Sequence, residues 1–165
     1  MPVSADEFKG ALRNFAAGVT IVTSIDATGQ PVGATVSAFA SVSVDPPMVL
    51  VCLNSLSRTG QAVRGFRRFA VHILGREHVE LAQRFASDQG EKFPGNTFES
   101  GVTGAPALPE CGVRLDCELV SETPGGTHGI FVGLVHNVVC EDMNPLIYAN
   151  RAFCSTQRLD AVATT

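Results

Sequence analysis

The chain has 165 residues, of which 45 % are hydrophobic and 17 % charged, and its formal net charge is −4. This length and composition predict one folded domain, residues 1–165, with a core of its own. The negative charge and the lack of a basic run exclude nucleic acid as an expected partner, because phosphate binding needs clustered Lys and Arg. No apolar stretch approaches the roughly 20 residues that span a membrane, and the N-terminus lacks the order of a signal peptide. We therefore expect no membrane partner and a cytoplasmic location.

The N-terminal residues predict a helix. Ser4 and Glu7 have the spacing of a capping box, and Gly18 is the expected stop. Apolar side chains recur on one helical face, at Phe8, Ala11, Leu12 and Phe15.

The rest of the chain is rich in predicted strands. Alternating or continuous apolar runs indicate strands at residues 19–25, 35–47, 48–53, 69–74, 113–122, 129–139 and 145–153. Two further helices are expected within 54–66 and 77–86, and residues 87–110 carry the Gly, Pro, Asn and Asp of a long loop. Strands and helices do not alternate as β-α-β units. This order favours a mostly β fold, an antiparallel barrel with peripheral helices, over a parallel doubly wound sheet.

The five cysteines and four histidines do not form a metal-binding pattern. No C-x-x-C pair occurs, and no two histidines stand at short spacing. Zinc sites in proteins usually need one of these arrangements. We expect reduced, mostly buried thiols and no metal site.

The strand predicted at 35–47 has unusually small side chains. Ser37, Ala38, Ser41 and Ser43 stand where a buried strand would carry Val, Ile or aromatic residues. A flat aromatic ligand ring fits against such a strand. The alternative is close packing against another strand or a second subunit.

Two other motifs suggest ligand contacts. Ser57, Arg58 and Thr59 lie where a loop enters a helix, and the free N–H groups of a helix start favour an anion such as phosphate. An ordinary helix cap with a solvated Arg58 explains the same residues. His128 follows a glycine-rich turn at the mouth of a strand, where a surface or capping role is the alternative. Acid–base groups are otherwise scarce, which favours hydride transfer between two bound rings.

The order of these motifs resembles the flavin reductase family that serves two-component flavin-dependent monooxygenases. The resemblance rests on residues 12–59, 91–98, 128–135 and 145–153. They include the patterns G-V-T-x-V-T, S-x-S-x-D-P-P and H-x-I-F-V-G. Three positions differ from the usual family pattern, namely Ala38, Thr127 and Ala152.

The resemblance implies a fold and an activity. The fold would be a Greek-key-like split β-barrel that binds FMN, usually as a homodimer. The activity would be that of an NAD(P)H:flavin oxidoreductase, in which NADH or NADPH gives hydride to FMN or FAD. Reduced flavin would then diffuse to a partner monooxygenase.

The resemblance also implies site residues. The flavin ring would lie along residues 35–41, with 52–54 on its far side and 57–59 at the phosphate. The implied flavin-binding residues are Thr35, Val36, Ser37, Ala38, Ser41, Cys52, Leu53, Asn54, Ser57, Arg58, Thr59, Lys92 and Phe93. The implied nicotinamide-binding residues are Asn14, His128 and Arg151, and His128 is the candidate catalytic residue.

Two other functions fit the same barrel. One is a flavin store or sensor without turnover, which would not need the block around His128. The other is an oxidase of the pyridoxamine-phosphate type, which fits less well because basic residues for a substrate phosphate are scarce.

Overall fold

The computed structural model describes residues 1–87, 89–96 and 98–157. Within these ranges the helices are α1 Ala5–Leu12, α2 Arg58–Phe66 and α3 Val79–Ala86. The strands are β1 Ala17–Gly18, β2 Thr20–Ile25, β3 Pro31–Val36, β4 Phe39–Ser43, β5 Met48–Asn54, β6 Arg68–Ile73, β7 Glu99–Ser100, β8 Pro106–Ala107, β9 Val113–Gly125, β10 His128–Cys140, β11 Leu146–Ala149 and β12 Ala152–Ser155. No helix in the described residues is long and apolar enough to cross a membrane.

Seven strands form one antiparallel sheet in the order β3-β2-β6-β9-β10-β5-β4. The two end strands, β3 and β4, are consecutive in the chain and are joined only by Ser37 and Ala38. The end of β3 and the start of β4 can therefore be at most about 10 Å apart, so the sheet has to curl and bring its two end strands close together. The backbone N–H of Cys52 donates to the carbonyl oxygen of Ala38 at 2.9 Å and ties this joint to β5. The expected mostly β, antiparallel fold with peripheral helices is confirmed.

The joint at residues 37–38 corrects one prediction. The sequence predicts a single strand over 35–47, but β3 ends at Val36 and β4 begins at Phe39. β3 pairs with β2, whereas β4 pairs with β5. Alternation and strand propensity report extended backbone and do not report a change of pairing partner.

A smaller sheet of β1, β11 and β12 flanks the first and corrects two more predictions. The predicted strand 145–153 is a hairpin, because Asn150 and Arg151 adopt left-handed φ values of 49° and 63°. Left-handed pairs form the tight turns that suit the twist of a hairpin, and arginine is not a usual signal for them. Gly18 does not stop the first helix, which ends at Leu12. Gly18 lies in β1, where it pairs with Ile147 of β11. Phe15 consequently lies beyond the helix.

Two hydrophobic clusters fill the interior. One lies inside the curled sheet and includes Val51, Phe69 and Phe131. The other packs α3 against the sheet through Phe85 and Leu81. Fully burying side chains of this size stabilises the fold by about 1.5–3 kcal/mol each.

α3 can approach β3 because residue 33 is glycine. A Cβ at Gly33 would lie 2.7 Å from the ring of Phe85. The close approach places Lys92 and Phe93, which follow α3, beside β3.

His72 is a buried polar residue of β6. Its Nε2 accepts a hydrogen bond from the backbone N–H of Leu108 at 3.0 Å, so its Nδ1 carries the proton toward the carbonyl oxygen of Ile21 at 3.3 Å. Burial lowers the pKa of His72 to about 4. This neutral imidazole joins the segment after β8 to the main sheet.

Candidate active site

Three adjoining cavities form one cleft along β3. The central lobe, about 290 Å³, is lined by residues 34–38 and 52–54, Ser57 and His128. The helix lobe, about 440 Å³, is lined by residues 30–34, 57–59 and 90–93. The hairpin lobe, about 470 Å³, is lined by residues that include Thr35, Ser37, Tyr148 and 151–153. Ala34 and Ser57 are shared by the first two lobes, and Thr35 and Ser37 by the central and hairpin lobes.

The central lobe has room because its walls carry short side chains. Ser37 and Ala38 are exposed at the joint between β3 and β4. Cys52, Leu53 and Asn54 stand across from them on β5. The hydroxyl of Thr35 donates to the carbonyl oxygen of Ala82 at 2.6 Å, so it is engaged with α3.

The helix lobe lies at the N-terminus of α2. Ser57 caps the helix, because its Oγ accepts from the backbone N–H of Gly60 at 3.0 Å. The backbone N–H of Gln61 makes the first bond of the helix, to the carbonyl oxygen of Ser57 at 3.0 Å. The N–H groups of Arg58 and Thr59 come before that bond, in the part of a helix that has no internal partners. Such groups, with the helix dipole behind them, suit an anion.

Gly60 allows the loop before α2 to close on the helix. A Cβ at Gly60 would lie 2.7 Å from the carbonyl oxygen of Asn54 and 3.1 Å from Ser57 Oγ. Real Cβ atoms do not approach backbone oxygens so closely. The loop at 54–57 therefore depends on the missing side chain.

Arg58 is held by Asp26, which lies in the turn between β2 and β3. Arg58 Nη2 donates to Asp26 Oδ2 at 3.0 Å. Asp26 also accepts hydrogen bonds from Thr28 and from the backbone N–H of Gln30. These hydrogen bonds, with Thr28 contributing most, hold the pKa of Asp26 well below its usual range. The carboxylate is therefore ionised at neutral pH.

Lys92 and Phe93 fix the opposite wall of the helix lobe. Lys92 Nζ donates to the carbonyl oxygens of Gly33 at 2.9 Å and Phe85 at 3.2 Å. The ring of Phe93 packs edge-on against Phe85, with the ring centroids 5.2 Å apart. Both residues therefore line the cleft, although Lys92 is bonded to backbone oxygens and Phe93 is only 6 % exposed.

His128 begins β10 at the edge of the central lobe. Its backbone pairs with Asn54 on one side and Gly125 on the other. The tight turn before it has Gly126 at φ 66°, and Thr127 Oγ1 lies 3.0 Å from His128 Nδ1. The backbone N–H of Ser55 donates to the carbonyl oxygen of Thr127 at 3.1 Å and fixes the turn over the lobe.

Three predicted site residues lie at the edge of the cleft or outside it. Arg151 lines the hairpin lobe from the left-handed turn between β11 and β12. Asn14 instead caps α1, where its side-chain amide donates to the carbonyl oxygens of Gly10 and Ala11 at 3.4 Å. Ser41 lies on β4 opposite Val49. Neither Asn14 nor Ser41 is among the residues that line the three lobes.

Comparison with known proteins shows the same architecture and sequence pattern. The reductase component of 4-nitrophenol 4-monooxygenase/4-nitrocatechol 2-monooxygenase from Rhodococcus opacus is 41 % identical over 92 % of this chain and 81 % of its own. A flavin reductase (NADPH) from Lentzea aerocolonigenes is 39 % identical, over 92 % of this chain and 89 % of its own. The crystal structure of a flavin reductase domain protein from Arthrobacter sp. FB24 superposes with a TM-score of 0.88 at 30 % identity, over 96 % of this chain and 99 % of that one.

The model of the family described as "Flavin reductase like domain" matches residues 12–157. This match spans the main sheet, the cleft and the flanking hairpin. The resemblance drawn from the sequence motifs is thereby confirmed, and the chain belongs to the flavin reductase like domain family.

Proposed function

We propose that this protein is an NAD(P)H:flavin oxidoreductase that reduces FMN, or FAD, and supplies the reduced flavin to a partner monooxygenase. The observation that carries the proposal is the continuity of the cleft. An anion-binding helix start, a shallow lobe walled by short side chains and an exposed histidine lie along one path. The names of the relatives from Rhodococcus opacus and Lentzea aerocolonigenes support the reaction and the monooxygenase partner.

The residues present fit a flavin mononucleotide. Gly60 lets the loop at 54–57 close on the start of α2, and Arg58 and Thr59 line the helix lobe there. The backbone N–H groups of these two residues and the Arg58 guanidinium would hold the phosphate through charge-assisted hydrogen bonds. Residues 35–38 and 52–54 would enclose the ring. When bound, the flavin supplies a ring that accepts a hydride equivalent from the nicotinamide.

The chain's own contribution is binding and alignment. His128 would donate or accept a hydrogen bond to the nicotinamide carboxamide or ribose from the edge of the central lobe. Arg151 would contribute from the hairpin lobe, which shares Thr35 and Ser37 with the central lobe. Holding two rings in contact converts an encounter between two molecules into a step within one complex, which supplies most of the acceleration that such a transfer needs.

We also infer one domain and a twofold homodimer. The apolar side chains of α1 and the segment after it are exposed in the single chain, with Phe8 56 %, Leu12 51 % and Phe15 71 % exposed. An amphipathic helix whose apolar face is uncovered suits burial against a second copy. Tyr148, 40 % exposed on β11, pairs with Ala17 of β1, two residues after Phe15.

Turnover with free flavin tests this function. Purified protein is mixed with NADH or NADPH and an excess of FMN, and the absorbance of oxidised flavin is followed without oxygen. Loss of many equivalents of oxidised flavin per protein is the expected result. Stoichiometric binding of flavin without turnover would contradict the enzyme and favour a flavin store or sensor.

A further inference from the structure

The ion pair between Arg58 and Asp26 joins the loop at α2 to the turn between β2 and β3. Arg58 is the first residue of α2, and Asp26 follows β2 directly. The two residues are 32 positions apart in the chain, and Arg58 Nη2 lies 3.0 Å from Asp26 Oδ2. Arg58 lines both the helix lobe, where the proposed function places the flavin phosphate, and a neighbouring cavity of about 520 Å³ that Asp26 lines with it.

The two partners differ in how firmly they are held. Asp26 Oδ1 accepts hydrogen bonds from Thr28 N at 2.9 Å, Thr28 Oγ1 at 2.6 Å and Gln30 N at 3.0 Å. The side chain of Asp26 is 19 % exposed, whereas that of Arg58 is 77 % exposed. An exposed arginine without a partner samples many rotamers. The carboxylate is therefore the fixed member of the pair, and it sets the position of the guanidinium.

The ion pair does not use up the capacity of Arg58. A guanidinium carries five N–H donors, and the contact with Asp26 uses one of its nitrogen atoms. The other N–H donors of Arg58 therefore remain for a second, anionic partner.

We propose that Asp26 is a positioning residue for the flavin phosphate: it holds the guanidinium of Arg58 at the helix lobe before flavin binds. The inference rests on the proposed function, since it assigns the helix lobe to the phosphate. Asp26 acts through Arg58. It therefore affects ligands that carry a phosphate and leaves ligands that lack one unchanged.

Two other roles of Asp26 make opposite predictions. If its charge alone mattered, removing a carboxylate near a phosphate would strengthen binding by relieving repulsion. If it only shaped the turn, its loss would act through residues 30–34 of the helix lobe and would weaken FMN binding equally when Arg58 is absent. Positioning alone predicts weaker binding that is confined to the phosphorylated ligand and that disappears when Arg58 is absent.

Asp26→Asn is the appropriate substitution. The remaining amide oxygen can still accept from Thr28 N and Gln30 N, so the turn is retained while the ion pair is lost. Glu122→Gln is the matched control. It removes the carboxylate from the other ion pair of α2, Arg64 with Glu122, which joins atoms 2.9 Å apart outside the three lobes.

Dissociation constants for FMN and riboflavin are measured by flavin fluorescence for the wild type and both variants. In Asp26→Asn the Kd for FMN should rise about 3-fold to 10-fold, the cost of ordering one long side chain on binding, and the Kd for riboflavin should not change. Glu122→Gln should alter neither constant. In an Arg58→Ala background, Asp26→Asn should have no further effect, because a residue that acts only through Arg58 loses its influence with it.

An unchanged or lower Kd for FMN, an equal rise for riboflavin, or an additive effect in the double variant overturns the positioning role. If Asp26→Asn does not fold, Asp26→Ser takes its place, because serine also keeps an oxygen for the turn. A failure of the proposed function is separate: a wild type that binds FMN but does not turn over NADH or NADPH contradicts the enzyme, while the comparison of FMN with riboflavin still tests Asp26.

Discussion

One methyl group added at Gly60 should disrupt both the loop before α2 and the binding of phosphate. A Cβ at this position would lie 2.7 Å from the backbone oxygen of Asn54 and 3.1 Å from Ser57 Oγ. A backbone oxygen cannot swing aside as the end of a side chain can, so the loop has to move away from the helix. Gly65 provides the matched control, because it lies in the same helix and a Cβ there would have nothing within 4 Å.

The magnitudes follow from these contacts. Overpacking in Gly60→Ala should cost about 1–3 kcal/mol of unfolding free energy. Weakening the Ser57 cap should cost about 1 kcal/mol more. The better helix propensity of alanine offsets up to about 1 kcal/mol, and in Gly65→Ala it acts alone. We therefore expect Gly60→Ala to be less stable than the wild type by about 1–3 kcal/mol and Gly65→Ala to be equally or more stable.

Flavin binding should separate the two variants in the same way. A shifted loop moves the N–H groups at the start of α2, and a lost hydrogen bond to a charged group costs about 1.5–3 kcal/mol, or 10-fold or more in Kd for FMN. Urea unfolding gives the stabilities, and fluorescence titration gives the Kd values for FMN and riboflavin. Equal stabilities of the two variants, or an FMN affinity in Gly60→Ala that matches the wild type, would refute the reasoning.

Four other predictions concern the site, the assembly and the core. Arg58→Ala should weaken FMN binding by about 1.5–3 kcal/mol. It should change kcat little at saturating flavin, because phosphate contacts are alike in ground and transition states. An unchanged Kd would show that the loop at 57–59 only caps α2. His128→Ala should raise the KM for the nicotinamide and lower kcat/KM by about 10-fold to 100-fold, with FMN affinity retained, and unaltered steady-state rates would exclude the nicotinamide role. Sedimentation should show a dimer at micromolar concentration, and an active monomer would contradict the interface proposed at α1. The pKa of His72 is lowered to about 4 by burial, so near pH 6.5 and below it the unfolded chain binds a proton that the folded chain does not. Unfolding free energy should therefore fall by about 1.6 kcal/mol between pH 6.5 and pH 5, and a His72→Gln variant with the same slope would refute the assignment.

Local sequence signals predicted the elements whose limits depend on local chemistry. The capping box at Ser4 and Glu7 is formed by both of its hydrogen bonds, and α1 begins at the next residue. The apolar run at 48–53 corresponds to β5 within one residue at its end. In both cases the deciding atoms lie within a few residues of one another. Such patterns are readable without the fold.

The errors occurred where the fold decides the local structure. Residues 35–43 and 145–153 are extended almost throughout, yet each contains a break that depends on pairing partners far away in the chain. Arg151 adopts a left-handed φ of 63° in a hairpin turn, a conformation that its residue type does not favour. Propensity carries no information about such positions because tertiary contacts override it.

The same limit applies to the site. Ser57 as a helix cap was visible in the sequence, since its Oγ and the backbone N–H that donates to it, that of Gly60, are three residues apart. Asp26 was not visible as a partner of Arg58, because its turn chemistry with Thr28 and Gln30 explains the residue by itself. The engagement of the Thr35 hydroxyl by Ala82, 47 residues away, also requires the fold.

The two residues just after the end of β3 have two roles. Ser37 and Ala38 carry the chain from one end of the main sheet to the other, and the carbonyl oxygen of Ala38 is fixed by the backbone N–H of Cys52 at 2.9 Å. Their side chains meanwhile lie exposed on the wall of the central lobe. The backbone of these residues therefore serves the fold, and the lack of bulk on them serves the lobe. Because the two roles involve different atoms, a larger side chain here can fill the lobe without unfolding the sheet. The small side chains therefore serve ligand binding and not the fold.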